Sequence, residues 1–302
     1  MTALASRPAS APPERGAGHL FTPVLTAIGA TAGVAAIYQL FVRSPLGQSI
    51  DTQALRNADV GHQRAVEVME RALNATSLAG LVLVCLAVAL IGMARRRIDL
   101  AVAAAVMVIG ANLTTRLLKT WLPRPELDGF PAPNSFPSGH TAAAASVAFA
   151  LVLVLPWAIR GMVALIGATY VAVIAVATVW AEWHRPSDTI AGLLIVLAWG
   201  SAVVLVVRGR RYRRPGALER PSRLTTAPLL VAGLLATAIA LVGLGAVTLS
   251  ERVTPDLVSG RFTFLTGGAA IVAAVAAAFL IWVRLAAGEH EEPAAAPADD
   301  PA

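Results

Sequence analysis

The strongest constraint in this 302-residue sequence is the repeated occurrence of apolar runs long enough to cross a lipid bilayer. A transmembrane helix needs about 20 mostly apolar residues. Only 14% of the chain is charged, whereas a typical soluble domain carries about 25%. These numbers exclude a disordered chain and an ordinary soluble domain, and they predict an all-α polytopic membrane protein with about eight spans. The apolar runs are 20–43, 76–94, 99–118, 141–158, 161–180, 188–207, 226–248 and 263–286.

Arginines cluster in two of the loops that separate the predicted spans. Three lie at 95–97, between the second and third spans, and seven lie between the sixth and seventh. Because loops rich in Arg and Lys stay on the cytoplasmic side of a membrane, both loops and both chain termini are predicted to be cytoplasmic. These loops also explain the net charge of +6, so we expect lipid headgroup contacts and no nucleic-acid partner. The seven arginines are Arg208, Arg210, Arg211, Arg213, Arg214, Arg220 and Arg223.

Segments outside the apolar runs mark the predicted domain boundaries. Residues 1–18, rich in Pro, Ala and Arg, are predicted to be a disordered N-terminus, and 287–302 a disordered acidic tail. Residues 208–225 form the basic cytoplasmic loop. The linker 44–75 carries apolar residues at helical spacing, which fits either an amphipathic helix on the membrane surface or a packed helix. Those residues are Val66, Met69 and Leu73.

Polar residues that the membrane topology does not explain fall in three segments. His140 and His184 are separated by two apolar runs, one crossing the membrane and one returning, so both are predicted at the same face. Arg124 precedes His140 by 16 residues with no span between them and shares that face. By the arginine distribution this face is extracytoplasmic. The three segments are 116–127, 134–142 and 183–188.

Two of these segments are predicted to begin helices. A Pro-Ser pair precedes the fourth span at 137–138, and another opens the sixth at 186–187; these residue types favour the first turn and the N-cap of a helix. The free amides and the dipole at a helix start favour an anion. The nearby cations Arg116, Lys119 and Arg124 add to that preference, and a phosphoryl group is the best candidate.

The same segments carry the residue types that phosphoryl transfer needs. His184 followed by Asp188 provides a nucleophile and a carboxylate that would accept the Nδ1 proton, which leaves Nε2 to attack. His140 can act as general acid for the leaving oxygen. Gly139 lacks a Cβ, so its backbone can approach a phosphate closely. Acidic residues do not cluster near these positions, so no metal and no other cofactor is predicted.

Taken together, these motifs resemble those of the type 2 phosphatidic acid phosphatase superfamily. The family's Pro-Ser-Gly-His motif is present at 137–140. The His and Asp of its third motif match His184 and Asp188, and the Arg-Pro of its first motif matches Arg124 and Pro125.

The resemblance implies a six-helix phosphatase core at 19–207 and two additional C-terminal transmembrane helices at 226–286. It also implies metal-independent hydrolysis through a phosphohistidine at His184. Ser138 and Gly139 would then bind the substrate phosphate together with the cations.

Two positions depart from the family pattern. Leu117 stands where the family has its first-motif lysine. Lys119 takes that role if the loop between it and Arg124 is two residues shorter than in the family, and Arg116 is the alternative candidate. Thr178 stands where the family has its third-motif arginine, so one phosphate-binding cation is missing. The candidates to replace it are Arg185 and Arg116.

The resemblance implies an integral membrane phosphatase that acts on a lipid phosphate or pyrophosphate. Isoprenoid pyrophosphate, phosphatidate and phosphatidylglycerophosphate are left open as substrates. The alternative is a non-catalytic lipid-phosphate-binding or structural membrane protein, which the missing arginine favours and the retained His140, His184 and Asp188 oppose. A transporter is disfavoured because no internal repeat is evident. Glycines in the seventh span would permit close helix packing, which leaves a homo-oligomer open; they are Gly233, Gly243 and Gly245.

Overall fold

A computed structural model describes residues 18–57, 78–131, 133–210, 223–253 and 257–287 of this chain. All regular structure in these residues is helical: nine α-helices, and one π-helical turn at Tyr38–Val42. The helices are α1 (Gly18–Ile37), α2 (Pro45–Arg56), α3 (Leu78–Ala94), α4 (Ile98–Trp121), α5 (Gly139–Val154), α6 (Trp157–Trp180), α7 (Pro186–Arg210), α8 (Arg223–Arg252) and α9 (Gly260–Ala287).

Each of the eight predicted apolar runs overlaps a helix, but the helices differ in length. Six are long and apolar enough to cross a membrane: the α1 segment at Leu20–Val42, and α4, α6, α7, α8 and α9. Within the described residues, helix α3 has 17 residues and α5 has 16, fewer than the roughly 20 that are typical of a transmembrane helix. The protein is therefore an all-α membrane protein with six long candidate spans, and a total of eight spans stays a prediction.

The helices pack as a bundle with small residues at their contacts. Helix α7 lies at the centre and packs against α1, α4, α5 and α9. In α9, the fully buried Trp282 ring stacks on Phe149 of α5, with ring centroids 4.7 Å apart. A Cβ on Gly200 of α7 would lie only 2.7 Å from the Trp282 ring. Helix α9 is thus part of the same core as the helices that carry the motifs.

The sequence predicts a tight turn at Arg160–Gly161, between the apolar runs 141–158 and 161–180, but the structure turns earlier. Helix α5 ends at Val154, and Leu155 adopts extended backbone angles before Pro156. The residue before a proline is sterically pushed out of the helical region, so the chain turns at 155–156 and α6 begins at Trp157. Arg160 and Gly161 lie inside α6, and the Arg160 side chain is buried.

The linker 44–75 contains α2, which packs against α9 and the π-helical turn. Ser44 caps its first turn by accepting a 3.1 Å hydrogen bond from the Gly47 amide. Other predictions fall outside the described residues: the helical spacing of Val66, Met69 and Leu73, the two terminal tails, and most of the basic loop 208–225.

Two of the three glycines in α8 pack within the chain. A Cβ on Gly233 would lie 3.0 Å from Ala276, and one on Gly243 would lie 2.3 Å from Thr266, both in α9. Around Gly245, no heavy atom of the described chain lies within 4 Å of an added Cβ. The close approach at the first two positions serves the α8–α9 contact.

Candidate active site

The two predicted helix starts lie beside each other. Ser138 is the N-cap of α5, and its Oγ accepts a 3.3 Å hydrogen bond from the Thr141 amide. The Ser138 amide donates to the main-chain oxygen of Asp188 at 2.8 Å. A Cβ on Gly192 would lie 2.4 Å from the Ser138 carbonyl oxygen, so α7 approaches this closely only because residue 192 is glycine.

His140, His184 and Asp188 form a chain of contacts at this junction. The Nδ1 atom of His140 lies 3.5 Å from Nε2 of His184. On the other side of the His184 ring, Nδ1 lies 3.8 Å from Oδ2 of Asp188. That distance is longer than the roughly 2.7–3.2 Å of an N–H···O hydrogen bond, and the buried Nδ1 atom has no hydrogen-bond partner among the described residues. His184 is 5% exposed and Asp188 is fully buried.

Asp188 is held by three donors that lie outside the histidine pair. It accepts hydrogen bonds from Arg124 Nη2 at 2.8 Å, from Ser135 Oγ at 2.5 Å and from the Arg185 amide at 3.0 Å. A buried carboxylate stays charged only if it is paired and hydrogen-bonded. These contacts therefore keep a fixed negative charge next to Nδ1 of His184.

The Arg124 side chain is buried, and only part of its hydrogen-bonding capacity is used within the described residues. Its side chain is 4% exposed, and among the described residues neither its Nε nor its Nη1 has a hydrogen-bond partner. Most buried polar groups in proteins are paired. Arg124 and Arg185 both line a cavity of about 410 Å³, together with Gln48, Pro125, Glu126, Phe130, Pro131 and Pro133. Two guanidinium groups beside one cavity favour an anionic ligand.

Of the two candidates for the first-motif cation, only Lys119 is placed near the histidines. Lys119 is half-buried, and its charge acts on both His140 and Asp188. Its main-chain oxygen accepts a 3.0 Å hydrogen bond from Asn134, which ties the end of α4 to the segment before α5. Arg116 is exposed on the surface of α4.

Thr178 and Arg185 lie at the two ends of the turn that leads to His184 and into α7. Thr178 is fully buried, and its hydroxyl donates to the Ala175 carbonyl at 2.8 Å. Its own carbonyl accepts from the amides of Trp183 and His184 at 3.0 and 3.1 Å, so Thr178 holds the turn that presents His184. Arg185 brings a second guanidinium to the site besides that of Arg124, and it is 3% exposed.

Arg185 is anchored by two hydroxyl groups. Its Nε donates to Thr52 Oγ1 at 3.0 Å and its Nη1 to Ser135 Oγ at 3.4 Å. Burial, followed by the positive charge of Arg124, lowers the pKa of Arg185. The charges of Arg124 and Arg185 repel each other, and an anion bound beside them would offset that repulsion.

Sequence reasoning missed Ser135 and the polar face of α2. Gln48, Asp51 and Thr52 are buried and contact the motif-bearing loops. Their i, i+3 and i+4 spacing places them on one helix face, and that spacing is a signal the sequence offered. Asp51 accepts from the Ser187 amide at 3.1 Å and from its hydroxyl. Burial, reinforced by the charge of Asp188, raises the pKa of Asp51 to about 7.

Metal ligands were not expected at this site. Within the described part of the chain, no group of three or more His, Cys, Asp or Glu residues is arranged to hold a metal ion. A metal-independent reaction stays a prediction.

Comparison with known proteins found one family model that matches the segment carrying the motifs. Residues 100–213 match the model of the PAP2 superfamily. The chain is also similar to the crystal structure of the first transmembrane PAP2 type phosphatidylglycerolphosphate phosphatase from Bacillus subtilis, with 20% sequence identity and a TM-score of 0.48. That similarity covers 64% of this chain and 98% of the other. No curated protein sequence matches the chain.

Proposed function

We propose that this membrane protein, whose residues 100–213 match the model of the PAP2 superfamily, hydrolyses a lipid phosphate or pyrophosphate through a phosphohistidine at His184. The observation that carries the proposal is the contact chain from His140 through His184 to Asp188. His140 lies beside Nε2 of His184 and Asp188 lies beside its Nδ1, which supports His184 as the nucleophile, His140 as the proton donor and Asp188 as the orienting carboxylate of a covalent phosphoryl transfer.

In the first step, Nε2 of His184 attacks the phosphorus atom, and the bond from phosphorus to the lipid oxygen breaks. His140 donates a proton to that oxygen, so the lipid leaves as an alcohol, or as a monophosphate when the substrate is a diphosphate. The His184 ring becomes positively charged as the bond forms. Asp188 stabilises that charge and holds the tautomer with the proton on Nδ1.

In the second step, water attacks the phosphorus of the phosphohistidine and the bond from phosphorus to Nε2 breaks. His140, now neutral, accepts the proton from the attacking water. The 3.5 Å separation between the two ring nitrogens supports this double role, because one phosphoryl group bound to His184 would also reach His140.

The negative charge of the transferred phosphoryl group needs cations and amides around it. We assign this role to Arg124, Arg185 and Lys119, with Ser138 and Gly139 at the start of α5. Around Gly139, no heavy atom of the described chain lies within 4 Å of an added Cβ. This open space supports close approach of a phosphate to the backbone there.

The substrate would enter laterally from the outer leaflet, since the site is proposed to be extracytoplasmic. The order of substrates among isoprenoid pyrophosphate, phosphatidate and phosphatidylglycerophosphate is to be decided by measurement. The second candidate function is non-catalytic binding of lipid phosphates. The specific observation that favours it is Thr178, which places no cation at the third-motif position.

Phosphate release by the full chain in detergent, with EDTA present, tests the proposal. Wild type would be compared on the three lipid classes with His184→Ala and with His290→Ala, a matched control from the C-terminal tail. We expect release that survives EDTA, is unchanged in His290→Ala and vanishes in His184→Ala. Absence of release from every lipid by protein that is shown to be folded would contradict catalysis and support the binding function.

A further inference from the structure

Helix α2 lies outside the matched segment 100–213, yet one of its faces contacts both loops that carry cations into the site. We infer that α2 is a positioning element of the active site and that Asp51 is its main positioning residue. The inference rests on the proposed function, because what it positions is the segment that carries His184 and Asp188.

Asp51 fixes the start of α7. Its two carboxylate oxygens accept from the amide and the hydroxyl of Ser187. Ser187 lies directly before Asp188, and the amide of Arg185 binds the Asp188 side chain. Holding the amide and the hydroxyl of Ser187 therefore restricts the rotation of the turn from 184 to 188. The 3.8 Å spacing between His184 and Asp188 depends on that turn.

The neighbouring residues of α2 fix the two arginine-bearing segments relative to each other. Thr52 accepts from Arg185 Nε at 3.0 Å and donates to Asp128 at 2.5 Å. Gln48 donates to the Pro125 carbonyl at 2.7 Å and accepts from the Leu127 amide at 3.0 Å. One rigid helix thus binds the segment after Arg124 and the segment after His184 at the same time.

Another face of α2 is anchored to α8. Ser49 donates to Glu251 at 2.5 Å, and Gln53 donates to the other oxygen of the same carboxylate. Neither residue contacts the site loops through these bonds. Gln53 therefore offers a control on the same helix, two residues from Asp51, that removes one of the two contacts with Glu251 without touching Ser187.

The test compares Asp51→Ala, Asp51→Asn and Gln53→Ala in the full chain, with wild type and His184→Ala as references. With phosphatidate as the substrate, we expect Asp51→Ala to lower kcat at least tenfold and Gln53→Ala to leave kcat within twofold. Asp51→Asn should recover most of the loss, because its amide oxygen can still accept from the Ser187 amide. Ser187→Ala removes the same hydroxyl contact from the other partner and should lower kcat in the same direction, even if Asp51→Ala fails to fold.

A second readout does not depend on turnover. Amide hydrogen exchange of the segment 184–190 should increase in Asp51→Ala and stay at the wild-type level in Gln53→Ala. Equal kcat and equal exchange in these two variants would overturn the positioning role. If wild type hydrolyses none of the lipids, the proposed function fails, and the exchange comparison still decides whether Asp51 holds this turn.

Discussion

The two ends of the helix bundle both bury arginines, and they use them differently. At the end where α5 and α9 finish, Arg160 donates to the carbonyls of Ala286 at 2.6 Å and Leu153 at 3.1 Å. Arg208 donates to the carbonyl of Leu285. At the opposite end, where α5 and α7 begin, Arg124 pairs with the Asp188 carboxylate.

The arginines at the two ends differ in the groups that accept their hydrogen bonds. Carbonyls at a helix C-terminus lack partners within the helix and carry partial negative charge, so a buried arginine there completes the helix end. Arg124 instead neutralises a carboxylate that faces a histidine, and two of its nitrogens remain without a partner among the described residues. The same residue type thus stabilises helix ends at one side of the bundle and has binding capacity left at the other.

The largest effect should come from Arg124→Ala. Losing one preorganised donor to a transition-state phosphoryl group costs about 10²–10³ in kcat, and removing one partner of a buried ion pair destabilises by about 3–5 kcal/mol. Hydrolysis rates and thermal unfolding of the same preparation measure both losses. A variant that is fully active would show that Arg124 serves Asp188 alone and takes no part in phosphate binding.

Arg185→Gln should have the next largest effect, mainly on substrate affinity. Glutamine can still bind the Thr52 hydroxyl but has no charge, and a hydrogen bond to a charged group contributes about 1.5–3 kcal/mol. We expect KM to rise about tenfold to a hundredfold with a smaller change in kcat, measured by steady-state kinetics. An unchanged KM would mean that the cation missing at Thr178 is not replaced by Arg185.

Arg160→Met should affect stability and leave catalysis unchanged. The substitution retains most of the apolar volume but leaves buried carbonyls of α5 and α9 without this donor, at about 1–3 kcal/mol for each such group. Thermal unfolding should shift downwards while kcat per folded molecule equals that of wild type. A fall in kcat would break the proposed division between the two ends.

The smallest effect should be a pH dependence of stability that comes from Asp51. Its pKa rises from 3.8 to about 7 on folding, so the folded state binds the Asp51 proton more tightly than the unfolded state does. The stabilisation that results is complete below about pH 4 and is lost as the pH rises through about 7. Wild type should therefore lose more stability than Asp51→Asn between pH 5 and 8, measured by thermal unfolding. Parallel curves for the two proteins would contradict this assignment.

The sequence by itself determined the helices and the order of the motifs along them. Apolar runs near 20 residues long have few alternatives to a membrane-length helix, because a bilayer leaves no water to bind free backbone groups. Local residue chemistry also placed the starts of α5 and α7, through Ser138 as an N-cap and Pro186 in the first turn. The number of apolar runs between His140 and His184 predicted their shared face, and the 3.5 Å contact agrees with it.

Only the tertiary structure decided which side chains meet at the site. The approach of Arg185 to Arg124, and the contacts of Asp51 and Thr52 with residues more than 70 positions away, depend on how whole helices pack. Such contacts leave no local periodicity in the chain. The partners of Arg160 could not be predicted from the sequence either. The sequence predicts a turn at Arg160, whereas helix packing buries its side chain against the ends of α5 and α9. Apolar length and helix capping are local properties, but the partner of a buried charge is set by the helices that surround it.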